Sequence, residues 1–332
     1  MGKVTIIKFL EGLTLSMVLM SSAGSVFSAT INMSYASEVG NSAPLWVTQE
    51  IGLFEKYGHE VRLILIQGAT ASIAALLNDD VRAAKVNPML VITTSLKGMD
   101  LVSTLRFNTY VENSIYGKKG IAHISQVKSV AVGAFGSSAD FMSRLLVQKA
   151  GLKPDVDVAF RQFGSQTNRI LAIETGQADA AVVTPPVTLL ARKRGFPLLI
   201  DASKIKIPYI GSTLAMRRSF INKNRETALN LTKAIIEGIC YYKTHKEESI
   251  RVLSKYMRIN DREVLEENFR AYDFSVRPYV TDEGLELPIQ EVAKKEPEVL
   301  KADRSRFVDN SIIKELEATG FLDRLSAQYG VK

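Results

Sequence analysis

The 332-residue chain is 46% hydrophobic and 23% charged, with neither glycine nor proline enriched. That composition fits one large or two medium globular domains and excludes a long disordered segment. The formal net charge is +7, yet the basic residues are interleaved with acids, as in KTHKEESIRVLSKYMRINDREVLEE at 243–267, so no nucleic-acid surface is expected.

The first 29 residues differ from the rest. Lys3 and Lys8 make a short basic start, FLEGLTLSMVLM is an apolar stretch of about 12 residues, and SSAGSVFSA is small and polar. This is the three-part pattern of a secretory signal, with cleavage near Ser28 or Ala29, and it is too short for a spanning helix of ~20 apolar residues. No cysteine stands near it to carry a lipid anchor. A body exported to the periplasm is expected.

The body opens on the alternating run TINMSYASEV, a strand, followed by a helix over APLWVTQEIGLFEKYGH that Gly58 ends. EVRLILIQG reads as a strand, ATASIAALLNDD as a helix, RAAKVNP as a strand, MLVITTSLKG as a helix and DLVSTLRFNTY as a strand. Short β-branched strands alternating with helices predict a mostly parallel sheet covered on both faces. STLRFNTYVENS reads as a linker strand, after which the grammar restarts. VKSVAVGAFG, DVAFRQFGS, ADAAVVTPP and FPLLIDAS are strands, with helices over SSADFMSRLLVQKAG, QTNRILAIETGQ and VTLLARKRG. YIGSTLAMRRSFI is a return strand, and the remainder is helical, with stops at Gly320 and Gly330. The expectation is therefore two α/β lobes crossed twice: residues 30–108 with 212–332 as the first, 109–211 as the second, and a hinged cleft between them. Cys240, the only cysteine, sits on an apolar helical run and is expected to be a buried thiol.

Ligands of open α/β sheets bind beyond the carboxyl ends of the strands. In the first lobe those ends offer Tyr35, Asn41, Ser42, Gln67, Gly68 and Asn87; in the second, Phe135, Gly136, Ser137, Ser138, Gln166, Thr184 and Pro185. Nearly all are small or uncharged polar residues at helix N-termini, which suits a small solute with an anionic group. Arg106, at the first crossing, is the expected counter-charge. The set is poor for catalysis, because no titratable pair and no activated nucleophile is among it. GAFGSS at 133–138 lacks the lysine of a Walker loop, and Gly133 and Gly136 have the wrong spacing for a dinucleotide fingerprint. Ser137 is placed to cap the helix after it and to face a ligand at once. The three histidines have no metal-ligand spacing and one cysteine makes no metal site, so no metal and no cofactor is expected.

The phrases APLWVTQEIGLFEKYGHEVRLILIQG, NDDVRAAKVNP, AVGAFGSSADFMSRLLVQKAGLKPDVDV, IETGQADAAVVTPP and YYKTHKEESIRVLSKYM, in that order, resemble the solute-binding proteins of nitrate/sulfonate/taurine-type ABC importers, within the NMT1/THI5-like superfamily. The resemblance implies a type II periplasmic binding fold, capture of a solute by lobe closure, and hand-over by a monomer to a permease driven by an ATPase. It makes the strand-end residues named above ligand-facing. No decisive charged residue for a sulfonate or nitrate stands among the loops, and Asn87 occupies a position where many relatives carry a small residue and glycine. The superfamily also holds an enzyme branch that makes the thiamine pyrimidine with a histidine and iron. His59, His123 and His245 lie outside the ligand loops, so a binding protein rather than an enzyme is expected. A ligand-sensing module on the same fold is the other alternative.

Overall fold

In the computed structural model residues 30–36 and 38–331 are described; the expected export signal lies outside them, as does the side chain of Ser138. The strands are β1 (Ile31–Tyr35), β2 (Val61–Leu65), β3 (Ala83–Val86), β4 (Val102–Arg106), β5 (Ser114–Gly117), β6 (Ser129–Val132), β7 (Ala159–Gln162), β8 (Ala180–Val183), β9 (Leu198–Asp201) and β10 (Thr213–Met216). They form two five-stranded sheets, ordered β2-β1-β3-β10-β4 and β7-β6-β8-β5-β9. In each sheet four strands share one direction, three of them adjacent and joined by helices, and the fourth position holds the one antiparallel strand, β10 or β5. The duplicated grammar of the sequence is thus a duplicated topology, and each antiparallel strand is the first strand after a crossing.

Two differences from the sequence reading have local causes. The helix expected over 43–58 is two helices, Ala43–Glu50 and Leu53–Lys56, broken where Gly52 takes φ 71°. β5 was not anticipated because all four of its residues are buried. A short strand buried on both faces has no alternation to mark it.

Each sheet has apolar layers on both faces. Met33, Leu105, Leu214 and Met216 pack with the carboxy-terminal helices on one face of the first sheet, while Ile73, Leu76, Ala84 and Val91 cover the other. Val130, Val132 and Val182 pack against Met142 and Leu146 in the second, with Ala131, Ala181 and Val183 packed on Ile170 and Ile173 opposite. The long helix Arg225–Thr244 crosses Ala43–Glu50 closely enough that a Cβ on Gly238 would lie 2.0 Å from Thr48 Oγ1. Glycine is required there. Cys240 is buried on this helix, as expected. Among the described residues no helix is long and apolar enough to cross a membrane.

The chain passes between the sheets at 107–113 and again at 202–212. The two passes are laced together: Phe107 N donates to Ser212 O at 3.0 Å, Tyr209 N to Thr109 O at 2.9 Å, and Val111 N to Ile207 O at 3.0 Å.

Candidate functional site

A cavity of about 430 Å³ lies between the two sheets. Its wall is drawn from the carboxyl ends of β1, β3, β6 and β8, the loop after β7 and both crossings, where this topology leaves helix N-termini pointing inward.

Five of the residues expected from sequence border it: Asn41, Asn87, Ser137, Gln166 and Thr184. Most of their polar atoms are already committed to local structure. Asn87 Oδ1 accepts Met89 N at 2.8 Å and caps the helix Pro88–Leu96. Ser137 Oγ accepts Asp140 N at 3.3 Å and caps Ser138–Lys149, as its position predicts. Gln166 and Thr184 bind each other, Gln166 Nε2 donating to Thr184 Oγ1 at 3.0 Å and Thr184 N to Gln166 Oε1 at 2.6 Å. Asn41 Oδ1 accepts from Lys85 Nζ at 2.7 Å.

The other expected residues lie elsewhere. Tyr35 is buried against Trp46, edge to face at 6.0 Å, and Ser42 is buried in the first lobe. Gln67 and Gly68 stand beyond the cavity wall, although the adjacent Ala69 borders it. Phe135 is 57% exposed, and Gly136, with φ 76°, donates its N–H to Asp140 Oδ2 at 2.9 Å. Ser138 begins its helix beside the wall. Pro185 borders a second cavity of about 320 Å³ next to the first. Arg106, the expected counter-charge, does not border the cavity. Its Nη1 donates to Thr281 Oγ1 at 3.3 Å, and burial lowers its pKa.

The charges that do face the cavity, Lys85, Glu112 and Arg169, are not among the residues expected from sequence to bind. Lys85 is the third residue of β3, the central strand of the first sheet, and is 4% exposed. Burial pulls its pKa down to about 7, with Glu112 acting weakly the other way. Glu112 sits on the first crossing, borders both cavities, and has its pKa pushed up to about 8 by burial, against the pull of Lys85. Arg169, one turn into the helix Gln166–Glu174, is 6% exposed. Its Nη1 donates to Val182 O and its Nε to Ser165 O at 3.5 Å, and burial alone lowers its pKa to about 10. No carboxylate among the described residues pairs with it. Ser212, on the second crossing, borders the cavity and keeps a buried hydroxyl without a partner. The signals were present: a lysine inside the apolar run AAKV, and a lone acid in the linker YVENS.

One flank of the cleft is bridged. Glu267, on the helix Arg262–Ala271 packed in the first lobe, accepts from Thr188 Oγ1 and Arg192 Nη2 of the second-lobe helix Val187–Lys193. Lys193 Nζ lies 2.7 Å from Glu263, and Tyr272 OH donates to Pro185 O at 3.3 Å.

The NMT1-like family pattern matches residues 28–257. A Bacillus subtilis (strain 168) chain named as a binding protein, YtlA, is 22% identical over 273 residues, covering 78% of this chain and 81% of that one. The periplasmic aliphatic sulphonate binding protein SsuA from Escherichia coli superposes with a TM-score of 0.70 at 19% identity, over 85% of this chain and 92% of its own. A zinc-bound ligand binding component of an ABC-type import system from Staphylococcus aureus does so at 0.70 and 16%, over 87% and 99%. At these identities the structural likeness shows the periplasmic binding fold.

Proposed function

The chain belongs to the NMT1-like family, and on that premise we propose that it is the solute-binding component of an ABC importer. It captures a small organic solute bearing an anionic group in the cavity between its sheets and delivers it to a membrane permease. Two observations support this reading. The wall of the cavity comes from both lobes and both crossings, so closing the lobes encloses whatever lies there. Lys85 and Arg169 bring two buried basic side chains to it from opposite lobes, and no carboxylate among the described residues is in contact with either. Holding a buried base charged without a contacting counter-ion is costly, and an anionic ligand group relieves that cost. The inward helix N-termini at Ser137 and Gln166 add to the same field.

The residues proposed to surround the solute are Asn41, Lys85 and Asn87 from the first lobe, Ser137, Gln166, Arg169 and Thr184 from the second, and Glu112 between them. The role is capture and release rather than catalysis, and the reading places the mature chain in the periplasm after loss of residues 1–29. The testing experiment is a thermal-shift screen of sulfonates, carboxylates, nitrate and phosphorylated pyrimidines. A cognate solute at 100 times its Kd stabilises the fold by about 2.7 kcal/mol. Failure of every anion to shift the transition overturns the reading.

A further inference from the structure

Resting on the proposal that this cavity holds an anionic group, we infer that Ser212 is a solute-binding residue: its hydroxyl, on the second crossing, turns onto that group beside Lys85 and fixes it at the crossing end of the first sheet. Ser212 borders the cavity, is 6% exposed, and its Oγ has no hydrogen-bond partner among the described residues. Buried polar atoms in folded proteins are overwhelmingly paired, so one left open at the edge of a cavity points to a partner that arrives through the cavity. The backbone of the same residue is fully used. Ser212 N donates to Asn108 Oδ1 and Ser212 O accepts from Phe107 N, each at 3.0 Å. The residue is thus held in place, while its hydroxyl gives up no bond when it rotates about Cα–Cβ. Asn108 also borders the cavity, but both ends of its amide are committed to lacing the crossings.

The sheet register puts this hydroxyl on the face that carries Lys85. β10 pairs antiparallel with β3, Leu214 opposite Lys85 and Thr213 opposite Val86. On its other side β10 pairs with β4, Leu214 opposite Leu105 and Thr213 opposite Arg106. The bond from Phe107 N to Ser212 O carries that ladder one residue further. Side chains alternate along a strand, so Ser212, Leu214, Lys85, Leu105 and Phe107 share one face. Lys85 Nζ lies over the Phe107 ring, 5.5 Å from its centre, and so ends beside the residue opposite Ser212. Its hydrogen bond to Asn41 Oδ1 leaves N–H groups for a ligand. An oxyanion at this spot accepts from Lys85 and from Ser212 together, and a hydroxyl bonded to a charged oxygen makes one of the stronger kinds of hydrogen bond.

The test uses the mature chain, ethanesulfonate and propanoate as probes, titration calorimetry for affinity, and thermal melts of the probe-free protein for stability. Ser212→Ala is expected to weaken whichever probe the wild-type chain binds by about tenfold, the worth of one hydrogen bond to a charged group. The same variant is expected to leave the probe-free midpoint unchanged or raised, because the hydroxyl it removes is unpaired there. A hydroxyl with a merely structural role moves the readouts the other way, lowering the midpoint and sparing affinity. Affinity within about twofold of wild type, or a midpoint lowered by more than about 2 °C, overturns this inference and leaves the anion site standing. Ser212→Cys keeps the shape with only a weak S–H donor and is expected to lose about threefold or more in affinity. Should the alanine variant not fold, unchanged affinity in Ser212→Cys overturns the inference. Binding of neither probe by the wild-type chain overturns both this inference and the reading it rests on.

Discussion

Asn108 and Ser212 stand on different crossings, and the Asn108 side chain ties them: its Oδ1 accepts Ser212 N and Gly211 N, each at 3.0 Å. Its Nδ2 donates back to Tyr209 O at 3.3 Å. One amide thus fixes the spacing of the two passes from which the lobes hang. Asn108→Ala orphans two backbone N–H groups in a buried place and is expected to cost about 2–4 kcal/mol. Asn108→Asp, which keeps the acceptor, costs less. Urea denaturation checks both, and a loss in the alanine variant no larger than in the aspartate variant contradicts the assignment.

Lys85 and Glu112, which border the proposed solute cavity, cost stability where burial disfavours their charged forms. For Lys85 the folded pKa of about 7 lies below the ordinary 10.5, so folding disfavours its charged form. That penalty is full below pH ~7 and gone above the ordinary lysine range. For Glu112 the folded value of about 8 lies above the ordinary 4.5, so its penalty is full above pH ~8 and gone below the ordinary carboxylate range. Lys85→Met is therefore expected to stabilise most at pH 6 or lower and Glu112→Gln most at pH 9, each gain fading in the opposite direction. The double variant gains about 1–4 kcal/mol at neutral pH and loses solute binding. Thermal melts across pH 5–10 read all three.

Anion binding is expected to be linked to proton uptake at Lys85. In the free cavity burial favours the neutral form of Lys85 and the protonated form of Glu112. A bare anion draws a proton from solvent onto Lys85, so its affinity falls as pH rises above about 7. The other ionisable groups facing the pair are Arg169 and Tyr209 in the cavity, Tyr242 and Tyr272 beside Glu112, and Tyr116, Arg192, Asp201, Glu267 and Arg270 around the second cavity. Burial holds both Tyr242 and Tyr272 protonated far beyond neutral pH. Calorimetry of ethanesulfonate in buffers of different ionisation enthalpy measures the uptake directly, and no uptake near neutral pH contradicts the role given to Lys85.

Arg169 is the second-lobe cation of the proposed site. Arg169→Gln removes a charge-assisted contact and is expected to weaken every bound anion about 10- to 100-fold. Arg169→Lys retains part of that affinity. A change under twofold in the glutamine variant moves the anion away from this helix.

Glu267 closes one flank by accepting from Thr188 and Arg192 of the facing lobe. Glu267→Ala is expected to raise the radius of gyration of the ligand-free protein and to lower affinity by roughly three- to tenfold, because closure then draws more on the solute. Small-angle scattering with and without solute checks it. An unchanged scattering curve shows that other contacts hold the flank.

Local pattern made much of this protein legible. Strand-helix alternation, repeated once, gave two lobes, and the turn residues marked the strand ends at Asn41, Asn87, Ser137, Gln166 and Thr184, which do border the cavity. Those features depend on neighbours a few residues away, and periodicity reads them. The charged interior was decided only by tertiary structure. A lysine in a four-residue strand is exposed at a sheet edge and buried at its centre, and β3 is central because β10 arrives from residues 213–216 to cover it. Arg169, on the helix after β7, faces the cavity, while Arg106, at the end of β4, does not. Whether a charge meets water or a ligand depends on what the distant chain lays over it, and no short window of sequence contains that information.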